Sequence, residues 1–106
     1  MTVTETLQRC RIVLAGHYGQ QFKVLVLYGS NVRRQAQPTS DSDIDVLVLL
    51  GEPYDYFREL RQVIELLYPI QLETDRLLSA KPAAIDDYER GRIQLYRNAK
   101  RQGVML

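Results

Sequence analysis

Apolar residues fall into two kinds of pattern along this chain. Between Glu5 and Tyr18, the positions Leu7, Cys10, Val13, Leu14 and Tyr18 recur at helical spacing. They predict an amphipathic helix ending near Gly16 or Gly19. Residues 22–28 and 44–50 are instead nearly unbroken apolar runs rich in β-formers, and each predicts a buried strand. Only Asp45 interrupts the second run, so both of its faces are expected to be covered. Gly29-Ser30-Asn31 breaks the first run, a short helix is expected through residues 32–36, and residues 37–42 read as a polar loop. From Asp55 to Tyr68 the helical spacing returns at Tyr56, Leu60, Val63, Ile64 and Leu67, with Pro69 as the expected stop. Residues 70–78 alternate at their start and predict a third strand. Lys81-Pro82 opens a further helical stretch in which Gly91 offers a break. A last helix through Ile93, Leu95, Tyr96 and Ala99 is expected to end at Gly103. The order predicts an α/β fold, a small sheet covered by helices.

Composition narrows the picture. The 106 residues fit one domain, 1–106, with 45% hydrophobic and 25% charged residues, as in globular proteins. No apolar run approaches the ~20 residues of a membrane helix. The first six residues lack the basic start and apolar stretch of a signal peptide, so a cytoplasmic chain is expected. One cysteine, Cys10, excludes an intrachain disulfide and a multi-cysteine zinc site. One histidine, His17, excludes a histidine-based metal site, and a Ser-His-Asp triad would rest on it alone. A net charge of +1 argues against direct nucleic-acid binding, and the basic cluster Arg90, Arg92, Arg97, Lys100 and Arg101 reads as a solvated face.

Candidate chemistry is concentrated between Val26 and Leu50. Asp43 and Asp45 are two apart, so on a strand they share a face. Two carboxylates so placed repel unless a cation lies between them, and Mg²⁺ takes such oxygen ligands together with phosphates and water. Asp45 within an apolar strand is costly unless paired or metal-bound. Gly29 lets the backbone approach an anion, Ser30 offers a hydroxyl, and a helix beginning there would aim free N–H groups at a phosphate. Arg33 and Arg34 lie one turn onward, within reach of a triphosphate. These parts suit phosphoryl or nucleotidyl transfer, which needs positioning, metal ions and charge stabilisation.

The run Val26-Leu-Tyr-Gly-Ser-Asn-Val-Arg-Arg-Gln-Ala-Gln-Pro, followed by Ser42-Asp-Ile-Asp-Val-Leu-Val48, resembles the signature of minimal nucleotidyltransferases, small members of the polymerase-β-like superfamily. A weaker similarity runs on to Asn98-Ala-Lys-Arg-Gln-Gly-Val104. The resemblance implies a polymerase-β-like nucleotidyltransferase fold with a small mixed β-sheet and a motif core over 22–78. It also implies ATP as substrate and Mg²⁺ as cofactor. Gly29 and Ser30 match the family's Gly-Ser pair that holds the triphosphate, Arg33 matches the arginine after it, and Asp43 and Asp45 match its two metal-binding aspartates. Stand-alone domains of this size are similar to antitoxins that transfer AMP from ATP to a tyrosine of a HEPN-type RNase toxin.

The sequence departs from the family pattern in three places. Twelve residues separate Ser30 from Asp43, two more than usual, and Asp41-Ser42-Asp43 would fit the shorter count. The apolar run after Asp45 favours Asp43 and Asp45. Arg34 stands where glycine is common. The third carboxylate of the family sits on the next core strand, where Gln71 is the counterpart on the expected strand 70–78. Glu73 is the first candidate to replace it as a catalytic residue, with Asp75 on the same face, or neither serving. Two readings follow. One is a Mg²⁺-dependent protein adenylyltransferase acting as antitoxin. The other is a catalytically degenerate protein of the same fold that neutralises its toxin by binding alone.

Overall fold

The two apolar runs form the middle of a sheet. The computed structural model describes residues 1–29 and 43–106, and in it β1 spans Phe22–Tyr28 and β2 spans Ile44–Leu50. The expected helix over 32–36 and loop over 37–42 lie outside the described residues. The two strands are antiparallel, with Leu25 opposite Val48 and Tyr28 opposite Asp45. On the other side of β2 runs β3, Leu78–Ala84, in parallel, with Ser79 beside Asp45 and Lys81 beside Leu47. A two-residue strand, β4 (Val104–Met105), pairs antiparallel with Val26 and Leu27 of β1. The described residues thus form a four-stranded mixed sheet in the order β3-β2-β1-β4.

Helices cover both faces, which is why β2 is apolar apart from Asp45. Val46 to Leu50 are all fully buried. On one face lie α1 (Val3–Tyr18) and α2 (Tyr56–Glu73), where Cys10, Leu14, Val63, Leu67 and Ile70 pack on Leu25, Val48 and Leu50. On the other lie α3 (Ile85–Arg90) and α4 (Gln94–Gln102), where Tyr88 and Ala99 pack with Val26, Leu47, Leu49 and Ala83. The fold is α/β with a small mixed sheet covered by helices, as the sequence pattern predicts. Among the described residues no helix is long and apolar enough to cross a membrane.

The first helix begins two residues earlier than its apolar spacing suggests. The hydroxyl of Thr2 accepts from the Glu5 amide at 3.1 Å, and the Glu5 carboxylate accepts from the Thr2 amide at 3.3 Å. This reciprocal cap satisfies two of the helix's orphan donors. Gly91, in the left-handed conformation at φ 63°, separates α3 from α4, and α4 ends at Gly103 as expected.

The third strand and the proline stop are corrected. Pro69 lies inside α2, which continues to Glu73, so Ile70–Glu73 is its last turn rather than a strand. Pro69 is exposed, while Leu67 and Ile70 on either side of it are buried. Burial of those two side chains outweighs the one backbone bond a helical proline forfeits. The strand expected at 70–78 is instead Leu78–Ala84, and Lys81-Pro82 lies within it rather than opening a helix. Proline is tolerated there because β3 is at the edge of the sheet that the described residues form.

Candidate functional site

The end of β1 and the start of β2 meet at one corner of the sheet. Asp45 is the second residue of β2 and Asp43 directly precedes the strand. Asp45 alternates with Leu47 and Leu49, so it belongs to the face packed against α3 and α4. Its side chain is partly buried, while Asp43 is exposed. Gly29, one residue past β1, takes φ 80° and lies directly against the Asp45 carboxylate. A Cβ built on Gly29 would be 2.5 Å from Asp45 Oδ2 and 3.3 Å from Asp45 Cγ. Glycine is therefore required twice here, for the positive φ and for the close approach.

Electrostatics set Asp45 apart from an ordinary surface carboxylate. Burial pushes the Asp45 carboxyl above the usual carboxylate range, and the negative charge of Asp43 pushes it further, while the Lys81 ammonium opposes both. Burial, reinforced by Asp45 and Tyr56, raises the Tyr28 phenol to about 12, so it stays neutral beside the carboxylate. Two hard oxygen donors whose charges repel suit a divalent cation that keeps waters and takes phosphate oxygens for its other positions. Among the described residues no group of three or more histidines, cysteines or carboxylates is placed to hold a metal ion.

The structure brings Gly29, Asp43 and Asp45 together. Ser30, Arg33 and Arg34, the other expected nucleotide-binding residues, lie outside the described residues, as does Asp41. Glu73 is not on the strand next to Asp45. It ends α2, where its carboxylate is ion-paired with Arg9 of α1 and both side chains are about half exposed. Asp75 is exposed in the turn after α2 and is likewise on no strand. Gln71 does structural work in the same region. Its side-chain amide donates to the Arg76 carbonyl at 2.8 Å, and its oxygen accepts from the Leu78 amide at 2.7 Å. Those two bonds fix the turn that delivers β3.

The residues that do flank Asp45 are Tyr28, opposite it on β1, and Ser79, beside it on β3, with Lys81 following Ser79 on the same face. Sequence reading passed over Ser79 and Lys81 because Lys81-Pro82 resembled a helix start. The signal was present: Leu78, Ala80 and Pro82 alternate with Ser79 and Lys81.

No family model matches the chain, and no curated protein matches it.

Proposed function

We propose that the chain is a Mg²⁺-dependent nucleotidyltransferase that passes AMP from ATP to a tyrosine hydroxyl of a HEPN-type toxin and so acts as its antitoxin. The observation that carries this reading is the packing of Gly29 against Asp45, with Asp43 immediately before the strand that carries Asp45, at the mouth of two buried strands. Asp43 and Asp45 would hold Mg²⁺, which when bound neutralises and aligns the triphosphate. Gly29 leaves room for the phosphates to approach, and Ser30, Arg33 and Arg34 follow it in sequence as anion-binding groups. The neutral Tyr28 phenol keeps a further negative charge away from the site. In the transfer, the acceptor oxygen bonds to the α-phosphorus, the bond from that phosphorus to the bridging oxygen breaks, pyrophosphate leaves and the phenolic proton passes to solvent.

A second reading is favoured by one observation. The strand beside Asp45 offers Ser79 and Lys81 where a third carboxylate would be expected, and Glu73 is engaged by Arg9. A chain so built would bind nucleotide and toxin without efficient transfer, because β3 supplies no carboxylate beside Asp45 to activate the attacking hydroxyl.

Both readings are tested by incubating the purified chain with Mg²⁺, α-labelled ATP and a native lysate, beside the Asp43→Asn/Asp45→Asn chain. Label on one small protein with wild type alone supports the transferase. Neutralisation of the toxin by the double variant, with no label from either chain, supports the binding protein.

A further inference from the structure

Helix α2 carries two apolar stripes, and the sheet uses only one. Val63, Leu67 and Ile70 enter the core. Phe57, Ile64, Tyr68 and Leu72 form the other stripe and are 68, 56, 58 and 68% exposed. A surface helix that buries one stripe is ordinarily polar on the other. With Leu77, 60% exposed just before β3, these side chains leave on the order of 600 Å² of largely apolar surface open, most of the ~800 Å² each partner gives to a stable interface.

We propose that this stripe is the interface of a two-fold homodimer, with the α2 helix of a second copy lying antiparallel on it. The stripe is nearly palindromic about Ile64. Phe57 lies seven residues before it and Leu72 eight after; Arg61 lies three before and Tyr68 four after. A two-fold axis at Ile64 therefore sets Phe57 against Leu72 of the second copy and the Arg61 guanidinium against the ring of Tyr68 of the second copy, a cation–π pairing. The same operation brings Glu65 of the second copy within about 3 Å of Arg61 along the helix axis. Each copy thus supplies one positive and one negative charge, and both are neutralised together. That self-complementarity is what an isologous interface requires, whereas a partner of one charge sign would leave either Arg61 or Glu65 opposed. Association through β3, the outer strand of the sheet among the described residues, is disfavoured because it carries Lys81 and Pro82, which blunt strand pairing. The stripe is on the side of the sheet opposite Asp45, so this inference does not rest on the proposed activity.

Sedimentation at micromolar concentration tests it. Wild type is expected at twice the 12.3 kDa of the chain. Ile64→Glu is expected to weaken dimerisation at least about tenfold while leaving the circular dichroism spectrum and melting cooperativity unchanged. Arg61→Glu and Glu65→Arg should each weaken the dimer, and the two combined in one chain should recover affinity over either alone. A wild-type monomer overturns the proposal, even if the stripe then captures a different protein. So does a dimer that survives Ile64→Glu, or a charge swap as weak as its single variants.

Discussion

Gly29 and the Asp45 carboxylate are in direct contact, with no space for a methyl group between them. A side chain at position 29 must either move Asp45 or move the chain end of β1. Gly29→Ala is expected to cost about 1–2 kcal/mol from the positive φ alone, with the displacement of Asp45 added to it. The measurement is a denaturant melt together with Mg²⁺-dependent ATP binding. Binding should fall more than the loss of folded protein explains, and a variant that binds normally would separate Gly29 from the site.

Asp45 titrates against the fold. Its folded carboxyl lies above the ordinary range, so its contribution to stability is complete at pH below the ordinary carboxylate pKa and is lost as pH rises through the raised folded value. At neutral pH, Asp45→Asn should therefore raise stability, because the amide carries no charge to bury or to be repelled by Asp43. Mg²⁺ with ATP should stabilise the wild type, by about 2.7 kcal/mol at a hundredfold excess over the dissociation constant. The same addition should leave Asp45→Asn unmoved. Thermal shifts of the two chains with and without the ligands check both signs.

Gln71 and Glu73 stand two residues apart and should respond unequally to substitution. Gln71→Ala removes two bonds that hold the turn into β3 and leaves the Leu78 amide and Arg76 carbonyl to find other partners, at a cost of about 1–3 kcal/mol. Glu73→Gln breaks a half-exposed ion pair with Arg9 and should cost less than about 1 kcal/mol. Under the transferase reading, Glu73→Gln should also leave labelling from ATP intact. Loss of labelling without loss of stability would return Glu73 to the reacting centre.

Cys10 is fully buried between α1 and the sheet, and burial raises its thiol to about 11. It should be inert to alkylating reagents in the native protein at neutral pH and react only on unfolding. Its labelling rate then reports opening of the α1–α2 layer, and prompt native-state labelling would contradict the packing described.

Glu59 is the buried charge of α2. Its carboxylate accepts from the Asp55 amide at 3.2 Å and pairs with Arg58 at 2.9 Å. Glu59→Ala should cost less than removal of one partner of a fully enclosed pair but more than a surface bridge, about 1–3 kcal/mol. Chemical denaturation measures it, and a change below about 0.5 kcal/mol would mean that water replaces the carboxylate without penalty.

How far the sequence speaks depends on which force decides each element. β1 and β2 were legible because seven-residue apolar runs buried on both faces leave little choice, and the position of Asp43 and Asp45 at the start of β2 was legible with them. α2 was legible as a helix but not in length. Proline's local preference argued for a stop at 69, and tertiary burial of Ile70 overrode it. That single error moved β3 by eight residues, nominated Glu73 and hid Ser79 and Lys81. The mistake was therefore long-range in origin: whether 70–73 is helix or strand is settled by the core between α2 and β2, which no window of local sequence contains. The close approach of Gly29 to Asp45 was foreseen only as a freedom of glycine, because the contact joins residues from different strands.

The two residues of β4 have a consequence for solubility. Gly103 lies so close to Val26 and to the Ala99 carbonyl that the chain can turn there and lay Val104 and Met105 along Leu27 and Val26, with the Leu106 amide donating to the Leu25 carbonyl at 2.8 Å. Few contacts are made, yet they occupy the backbone groups of one of the most apolar strands in the molecule. Without this short tail, β1 would present a bare template to any extended chain that met it. Trimming the chain after Gly103 should accordingly show itself as self-recruitment into aggregates well before it shows as a lower melting temperature.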